Sequence, residues 1–469
     1  MAKKKTARTP LVKPRQGSAP TSTPASSTIA PHAGPHPGPL SGQQPVSQTG
    51  ARQTVGTLRR PSEGALNGTD AERLSVDLRM RIPTFIVSAV LVLACLSRLV
   101  TSQAAYGGLA GLAILHVLAY RREFLRARIS LVQLAFVTLC FASIFWSVNR
   151  STTIARMPSL LSFYLIAILV GPSLGVERLS VIFTRLTRVF SLAALIAGFA
   201  LPEWAKDPGI PGETGWASLL ASKNYLGLLG VLCFASSVLA PKAKNRIVWA
   251  IVAFAVVVES RSATSMALVF VTIGSGLFSF TVHRFDSVLK QRVVVVVLGA
   301  FAALMAASVV VDPTFATGLL GRDSTLTGRT DIWDFVWVRI KERPWLGHGY
   351  QAYWNVDNEF TIRIKQVVGF PVTSAHQALL DVLLSVGIVG AIITTVMLLT
   401  AILRTFGDRR VPGRAPADSA TLRWARGIVL IYAIETFSES CLTNVFVVPL
   451  LLVISAITSQ TTFFRHRAI

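Results

Sequence analysis

The residues with chemistry to offer are concentrated in one polar stretch, 321–376, of an otherwise apolar chain. It opens with Gly321-Arg322-Asp323-Ser324-Thr325-Leu326-Thr327-Gly328-Arg329-Thr330, continues through Pro344-Trp345-Leu346-Gly347-His348-Gly349-Tyr350 and ends at Ala375-His376-Gln377. Arg322 and Arg329 bracket a turn rich in Gly, Ser and Thr. Guanidinium groups beside hydroxyls and free backbone N–H groups suit phosphate oxygens, although loop arginines also pair with solvent or lipid headgroups. His376 stands where the stretch runs into an apolar segment. Partial desolvation there keeps an imidazole neutral, so that it can take a proton from an attacking hydroxyl at neutral pH. The competing reading of the same position is an interfacial anchor.

Other polar residues lie in or beside apolar runs: Lys223 with Asn224, Glu259 with Arg261, and Glu435 with Glu439. Charge at membrane depth is costly unless it faces a wet cavity or a partner. Arg261 falls on the same side of the membrane as the polar stretch in the topology below, within reach of a phosphate bound there; a local ion pair with Glu259 is the plainer alternative. No Asp-X-Asp pair and no His/Asp/Glu cluster with ligand spacing occurs, which agrees with the absence of metal and cofactor that the resemblance given below implies. Cys95, Cys140 and Cys233 fall inside apolar runs and Cys441 stands alone, which makes them small core residues rather than a disulfide framework or a zinc site.

The elements that must position these groups follow from composition. With 52% hydrophobic and 15% charged residues among 469 and a mean hydropathy of +0.55, the chain reads as an all-α, polytopic membrane protein. Spans are expected near 83–100, 105–120, 130–147, 159–175, 180–201, 217–240, 246–260, 264–281, 292–311, 376–402, 422–438 and 444–463, about twelve helices long enough to cross the hydrocarbon. Residues 1–80 form a basic tail rich in Pro and Ser that cannot bury enough surface to offset its ordering entropy, and are expected to be disordered. Residues 81–469 form the membrane domain.

The net charge of +23 suits anionic headgroups and topology control rather than nucleic acid. With the tail in the cytoplasm, the same side receives Arg121, Arg122, Arg126, Arg128, Arg178, Lys242, Lys244, Arg246, Arg284, Lys290, Arg292, Arg409, Arg410 and Arg414. The opposite connections carry only Arg150, Arg156, Lys206 and Arg261 outside the long loop. Both termini are then cytoplasmic and the long loop, 312–375, is extracytoplasmic. Within it, 330–342 reads as a helix capped by Thr330 and ended by Pro344, with Ile332, Phe335, Val336 and Ile340 at helical spacing beside Trp333 and Trp337. A Trp-bearing amphipathic helix of this kind lies in the interfacial plane, as a lid over chemistry or as a purely structural element.

At these residues the chain resembles the O-antigen ligase and Wzy-type polysaccharide polymerase superfamily, most closely its exopolysaccharide-polymerase branch. The motifs that carry the resemblance are the Gly321–Thr330 run with Ile332-Trp333, the Pro344–Tyr350 run, Ala375-His376-Gln377 and Gly387-Ile388-Val389-Gly390. Ser222-Lys223-Asn224-Tyr225-Leu226-Gly227 and Ser260-Arg261-Ser262-Ala263-Thr264 extend it. The family usually has His-Asn where this chain has His376-Gln377, and often a histidine where it has Ser222. The resemblance implies an inner-membrane enzyme that transfers a glycan from a polyprenyl-pyrophosphate-linked donor to a sugar hydroxyl, without a metal and with inversion. His376 would be the base, and Arg261, Arg322 and Arg329 would hold the pyrophosphate. Lys223, Asn224, His348 and Gln377 would be further substrate contacts. Implied partners are the lipid-linked oligosaccharide, membrane lipid, a chain-length regulator and export proteins.

Ligation of a finished glycan to a lipid acceptor is the alternative within the class. Outside it stand a secondary transporter, disfavoured because the polar residues gather in one loop rather than on broken mid-membrane helices, and a non-catalytic scaffold built on the tail. Deleting residues 1–75 is expected to change polymer length or amount only; complete loss of polymer in cells carrying the deletion would favour the scaffold.

Overall fold

A computed structural model of the chain describes residues 68–100, 103–125, 129–207, 214–241, 243–282, 328–355, 357–406 and 419–463. Residues 1–67, Arg322, the expected span at 292–311 and Arg409, Arg410 and Arg414 lie outside the described residues. The described residues are helical, with no β-strand and an isolated antiparallel bridge between Lys206 and Trp216. The helices are α1 (Gly68–Cys95), α2 (Gln103–Ala119), α3 (Arg121–Phe124), α4 (Leu131–Ala142), α5 (Arg150–Ala200), α6 (Pro202–Ala205) and α7 (Lys223–Leu239). They continue as α8 (Arg246–Ser260), α9 (Ala263–Val282), α10 (Arg329–Glu342), α11 (Glu359–Val368), α12 (Ala378–Phe406), α13 (Ser419–Glu435) and α14 (Val448–Phe463). Among the described residues, α5 and Ala378–Thr405 are long and apolar enough to cross a membrane. Shorter apolar helices include Gln103–Ala119, Lys223–Leu239 and Val445–Ser459.

Two of the expected spans, 159–175 and 180–201, are joined in α5. Its 51 residues would stretch to about 75 Å if straight, more than twice the roughly 30 Å of hydrocarbon. The run is instead broken at Gly175 (φ 69°, ψ 165°), three residues after Pro172. The connection expected around Arg178 is therefore a single left-handed residue, a conformation glycine adopts at no steric cost. α5 packs against α14, α2, α1 and α7 and carries much of the main core. Small residues permit the closest approaches between helices. A Cβ on Gly171 would lie 2.7 Å from Ser455 Cβ on α14, and one on Gly230 of α7 would lie 2.8 Å from Val257 on α8. Gln133 on α4 satisfies both ends of its buried amide on α14, donating to Leu451 O at 3.0 Å and accepting from Ser455 Oγ at 2.8 Å. The four cysteines are buried and unbonded, as small core residues should be.

The segment that follows α10 is built into a second break. In α12 the helix is interrupted at Gly387 (φ 68°), and residues 344–349 are laid across the interruption. His348 N donates to Leu384 O and Gly349 N to Ser385 O, both at 2.9 Å, while Ile388 N donates to Pro344 O at 2.8 Å. The backbone groups that α12 leaves open are thus satisfied by the loop. A Cβ on Gly387 would lie 2.2 Å from Trp345 O. The Pro344–Tyr350 run and the Gly387–Gly390 run are two halves of one joint.

α10 and α11 share a second core in which Ile332, Trp333, Val336 and Ile340 meet Trp354, Phe360, Ile364, Leu380 and Leu384. The expectation for 330–342 is corrected at its start. The helix begins at Arg329 behind the left-handed Gly328 (φ 78°), and Thr330 lies inside it rather than capping it. It is packed down by its apolar face, with Trp337 at 39% exposure pointing outward. α11 has no counterpart among the expected elements; Asn358 caps it by accepting from Phe360 N at 2.9 Å, and the left-handed Gly369 ends it.

The two glycines separate steric from conformational effects. Gly369 has a positive φ with open space where a Cβ would go, so Gly369→Ala is expected to cost about 1–2 kcal/mol. Gly387→Ala adds a clash with backbone and should cost clearly more, read as a lower thermal midpoint and yield of folded protein in detergent; equal losses would remove the joint from the account of stability.

Candidate functional site

His376 is held in a left-handed conformation (φ 50°) that costs energy for any residue but glycine. Its neighbours on both sides are pinned. Ala375 O accepts from Trp333 Nε1 of α10 at 2.9 Å, and Ala375 N donates to Asp381 Oδ1 of α12, fully buried, at 3.0 Å. Ala378 N donates to Thr436 O at 2.9 Å. With the flanking peptides fixed by α10, α12 and the turn after α13, the direction in which the His376 side chain leaves the backbone is set. Nδ1 lies 3.3 Å from Glu439 Oε2, and the side chain remains 29% exposed against 4% for Glu439.

Glu439 is the meeting point of the site. Its Oε1 accepts from Arg329 Nη2 at 2.8 Å and from Asn224 Nδ2, the latter at the N-terminus of α7. Arg329 also donates from Nη1 to Ser438 O at 2.6 Å. Burial by itself raises the Glu439 carboxyl, but His376, Arg329 and Asn224 together outweigh it and hold the group below the usual carboxylate range. It is therefore ionised at neutral pH. Beyond these two bonds, the other three of the five N–H donors of Arg329 have no partner among the described residues.

The start of α7 joins this cluster to Arg261. Ser222 caps α7 by accepting from Tyr225 N, and Lys223 N donates to Asp207 Oδ2 at 2.6 Å. Gly215 sits between Lys223 and Arg261: a Cβ placed on it would be 3.0 Å from Lys223 Cδ and 3.4 Å from Arg261 Cβ. Arg261, also left-handed (φ 49°), ends α8 and donates from Nη1 to Thr214 Oγ1 at 2.6 Å. The approach of α8 and α9 to α7 that puts Arg261 there depends on Gly227, where a Cβ would come within 2.2 Å of Ser265 Oγ and 2.9 Å of Ser260 Oγ. Next to Asn224, Tyr225 stacks on Phe446 (ring centroids 4.1 Å apart), and its hydroxyl accepts from Asn444 Nδ2 at 2.7 Å.

His376, Arg329 and Asn224 thus share one carboxylate, and Lys223, the residue before Asn224, flanks Gly215 together with Arg261. Two expected contacts are engaged elsewhere. Gln377 is 5% exposed and its side-chain oxygen accepts from Leu380 N, closing the first turn of α12. His348 is 2% exposed and its Nε2 lies 2.7 Å from Arg339 O, ten residues along α10 from Arg329; burial lowers its pKa below the ordinary histidine value. Glu439 was visible in the sequence only as one of two carboxylates, four residues apart, beside apolar runs. That cost of burying charge was the signal that it has partners.

Residues 248–395 match the O-antigen ligase family. The O-antigen ligase segment contains Arg261, Arg329 and His376 and stops before Glu439, while Lys223 and Asn224 precede it. The chain is also similar to the exopolysaccharide production protein ExoQ of Rhizobium meliloti (strain 1021), with 26% identity over 289 residues, or 57% of this chain and 63% of that protein. The chain thus aligns with rather less than two thirds of the length of that relative. Both likenesses agree with the resemblance carried by the motifs.

Gln377 separates capping from binding. Gln377→Ala removes one acceptor at a helix start and is expected to lower stability by about 1 kcal/mol while leaving turnover per folded molecule unchanged; a raised KM for the lipid-linked donor would return Gln377 to the substrate contacts.

Proposed function

We propose that the protein polymerises the repeat units of an exopolysaccharide or surface polysaccharide, by inverting glycosyl transfer from a polyprenyl-pyrophosphate-linked donor. In this reading the chain lies in the bacterial inner membrane with about twelve spans, its termini cytoplasmic, and residues 312–375 facing outward. The observation that supports it best is the meeting of His376, Arg329 and Asn224 on one buried carboxylate, with Arg261 packed around Gly215 against Lys223, the residue before Asn224. Cations and a base with an open nitrogen are what transfer from a diphosphate leaving group requires.

His376 Nε2 takes the proton of the acceptor hydroxyl as that oxygen attacks the anomeric carbon. The bond from the anomeric carbon to the diphosphate oxygen breaks, and its electron pair leaves with the polyprenyl diphosphate. Attack from the face opposite the leaving group inverts the configuration. Negative charge grows on the diphosphate as the bond stretches, so guanidinium groups there stabilise the transition state more than the ground state. Arg261 and the remaining donors of Arg329 have this role, together with Arg322, and Lys223 adds charge at the start of α7. His348 and Gln377 support the site through the joint in α12 and the first turn after His376. The second core under α10 and α11 fixes the outer wall of the site and keeps water from the donor. The charge on the leaving group is met by side chains, so the proposed reaction needs no metal.

The partners in this reading are the lipid-linked oligosaccharide and membrane lipid, with a chain-length regulator and export proteins acting on the product. His376→Ala is expected to fold and to bind donor but to make no polymer, with single repeat units accumulating on the lipid carrier. Arg261→Ala should lower turnover by about 10²-fold or more. Accumulation of long lipid-linked chains in the His376→Ala strain would instead favour ligation of a finished glycan, and polymer of normal length would remove His376 from the mechanism.

A further inference from the structure

Glu439 lies in the turn between α13 and α14, beyond the residues that match the O-antigen ligase family. From its geometry we infer that Glu439 is the positioning residue of the reaction: it fixes the tautomer and direction of His376 while Arg329 and Asn224 fix Glu439. The inference rests on the reading of His376 as the base.

An ionised carboxylate only accepts hydrogen bonds, so the nitrogen that faces it must carry the proton. Nδ1 is the nitrogen that faces Glu439 Oε2. The neutral ring therefore has its lone pair on Nε2, and no other hydrogen bond to the ring is made among the described residues. The ring is partly exposed although Glu439 is not, which leaves the basic nitrogen for the acceptor. When Nε2 takes the acceptor proton, the imidazolium that forms sits against a carboxylate already in place. The 3.3 Å contact has room to tighten as that charge develops.

The other oxygen makes the arrangement specific. Oε1 is held by Arg329 and by Asn224, which come from α10 and α7, so the carboxylate cannot rotate away from the imidazole without giving up both. The role of Arg329 follows: its bonds to Glu439 and Ser438 order the carboxylate, and the donors without a partner among the described residues are left for substrate. A carboxylate buried only for structural balance would need the cation but not the imidazole.

Glu439→Gln tests this with almost no change of shape. The amide oxygen must serve the donors of Arg329 and Asn224, so the amide nitrogen faces His376 and donates to Nδ1. That places the ring proton on Nε2, the wrong nitrogen for a base. Donor for the assay is the lipid-linked repeat unit extracted from a host strain deleted for this protein. With purified variants in lipid vesicles, Glu439→Gln is expected to lower kcat by about 10²–10⁴-fold with KM for the donor nearly unchanged, and Glu439→Asp to recover part of the loss. Nitrogen-15 spectra of histidine-labelled protein, with His376 assigned by its absence in His376→Ala, should show the proton on Nδ1 in the wild type and on Nε2 in Glu439→Gln. A wild-type kcat for Glu439→Gln beside an inactive His376→Ala overturns the positioning role and leaves the base in place. Full activity in both variants overturns the reading of the site as a whole. An Nδ1 proton retained in Glu439→Gln, or a loss that follows KM or the amount of folded protein, makes Glu439 a structural carboxylate and ends the inference.

Discussion

A carboxylate buried to 3% exposure in a helical bundle is the constraint around which the site is arranged. Removing such a charge from water costs several kcal/mol unless donors and cations replace the solvent. For Glu439 those groups come from three places, Asn224 on α7, Arg329 at the start of α10 and His376 ahead of α12. None of the three is close to Glu439 in the chain. A fold that left any of them elsewhere would leave the charge short of a partner, so the electrostatic requirement of one side chain also specifies how α7, α10 and α12 are assembled.

The backbone is arranged to the same end. His376 and Arg261 both have positive φ without being glycine, and both sit at helix ends, where one residue in that conformation redirects the chain. At His376 the strain is maintained by bonds to the flanking peptides from Trp333, Asp381 and Thr436. The second core presses α10 against the start of α12 and so places Trp333 under Ala375. Groups set on helix ends and fixed by packing hold their direction better than groups on a free loop.

The motifs that carry the family likeness divide by physical role. Gly347 and Gly387, each left-handed and each in contact with backbone of the other's segment, form the joint between the 344–349 stretch and α12. His348 belongs with that joint and is bonded to Arg339 O, whereas Gln377 closes the first turn of α12 by accepting from Leu380 N. Arg329, Asn224 and His376 converge, while Lys223, the residue before Asn224, meets Arg261 around Gly215. Polar residues in one motif therefore do different work, and type and spacing alone do not separate a histidine that packs from one that faces a carboxylate.

What the sequence determined by itself is what depends on local pattern. Hydropathy gave the all-helical class and most of the described helix positions, such as 246–260 and 264–281, because a long run of apolar side chains leaves a helix as the way to satisfy its backbone groups. The polar stretch, His376 and Arg261 stood out because charge and imidazole are costly in such surroundings. The breaks at Gly175 and Gly387, the start of α10 at Arg329 and the existence of α11 were not legible, since each depends on what packs against it. The convergence on Glu439 was decided only by the tertiary structure: its partners are 215, 110 and 63 residues away along the chain, and pairings over such separations are set by helix packing, which no periodicity in the sequence encodes.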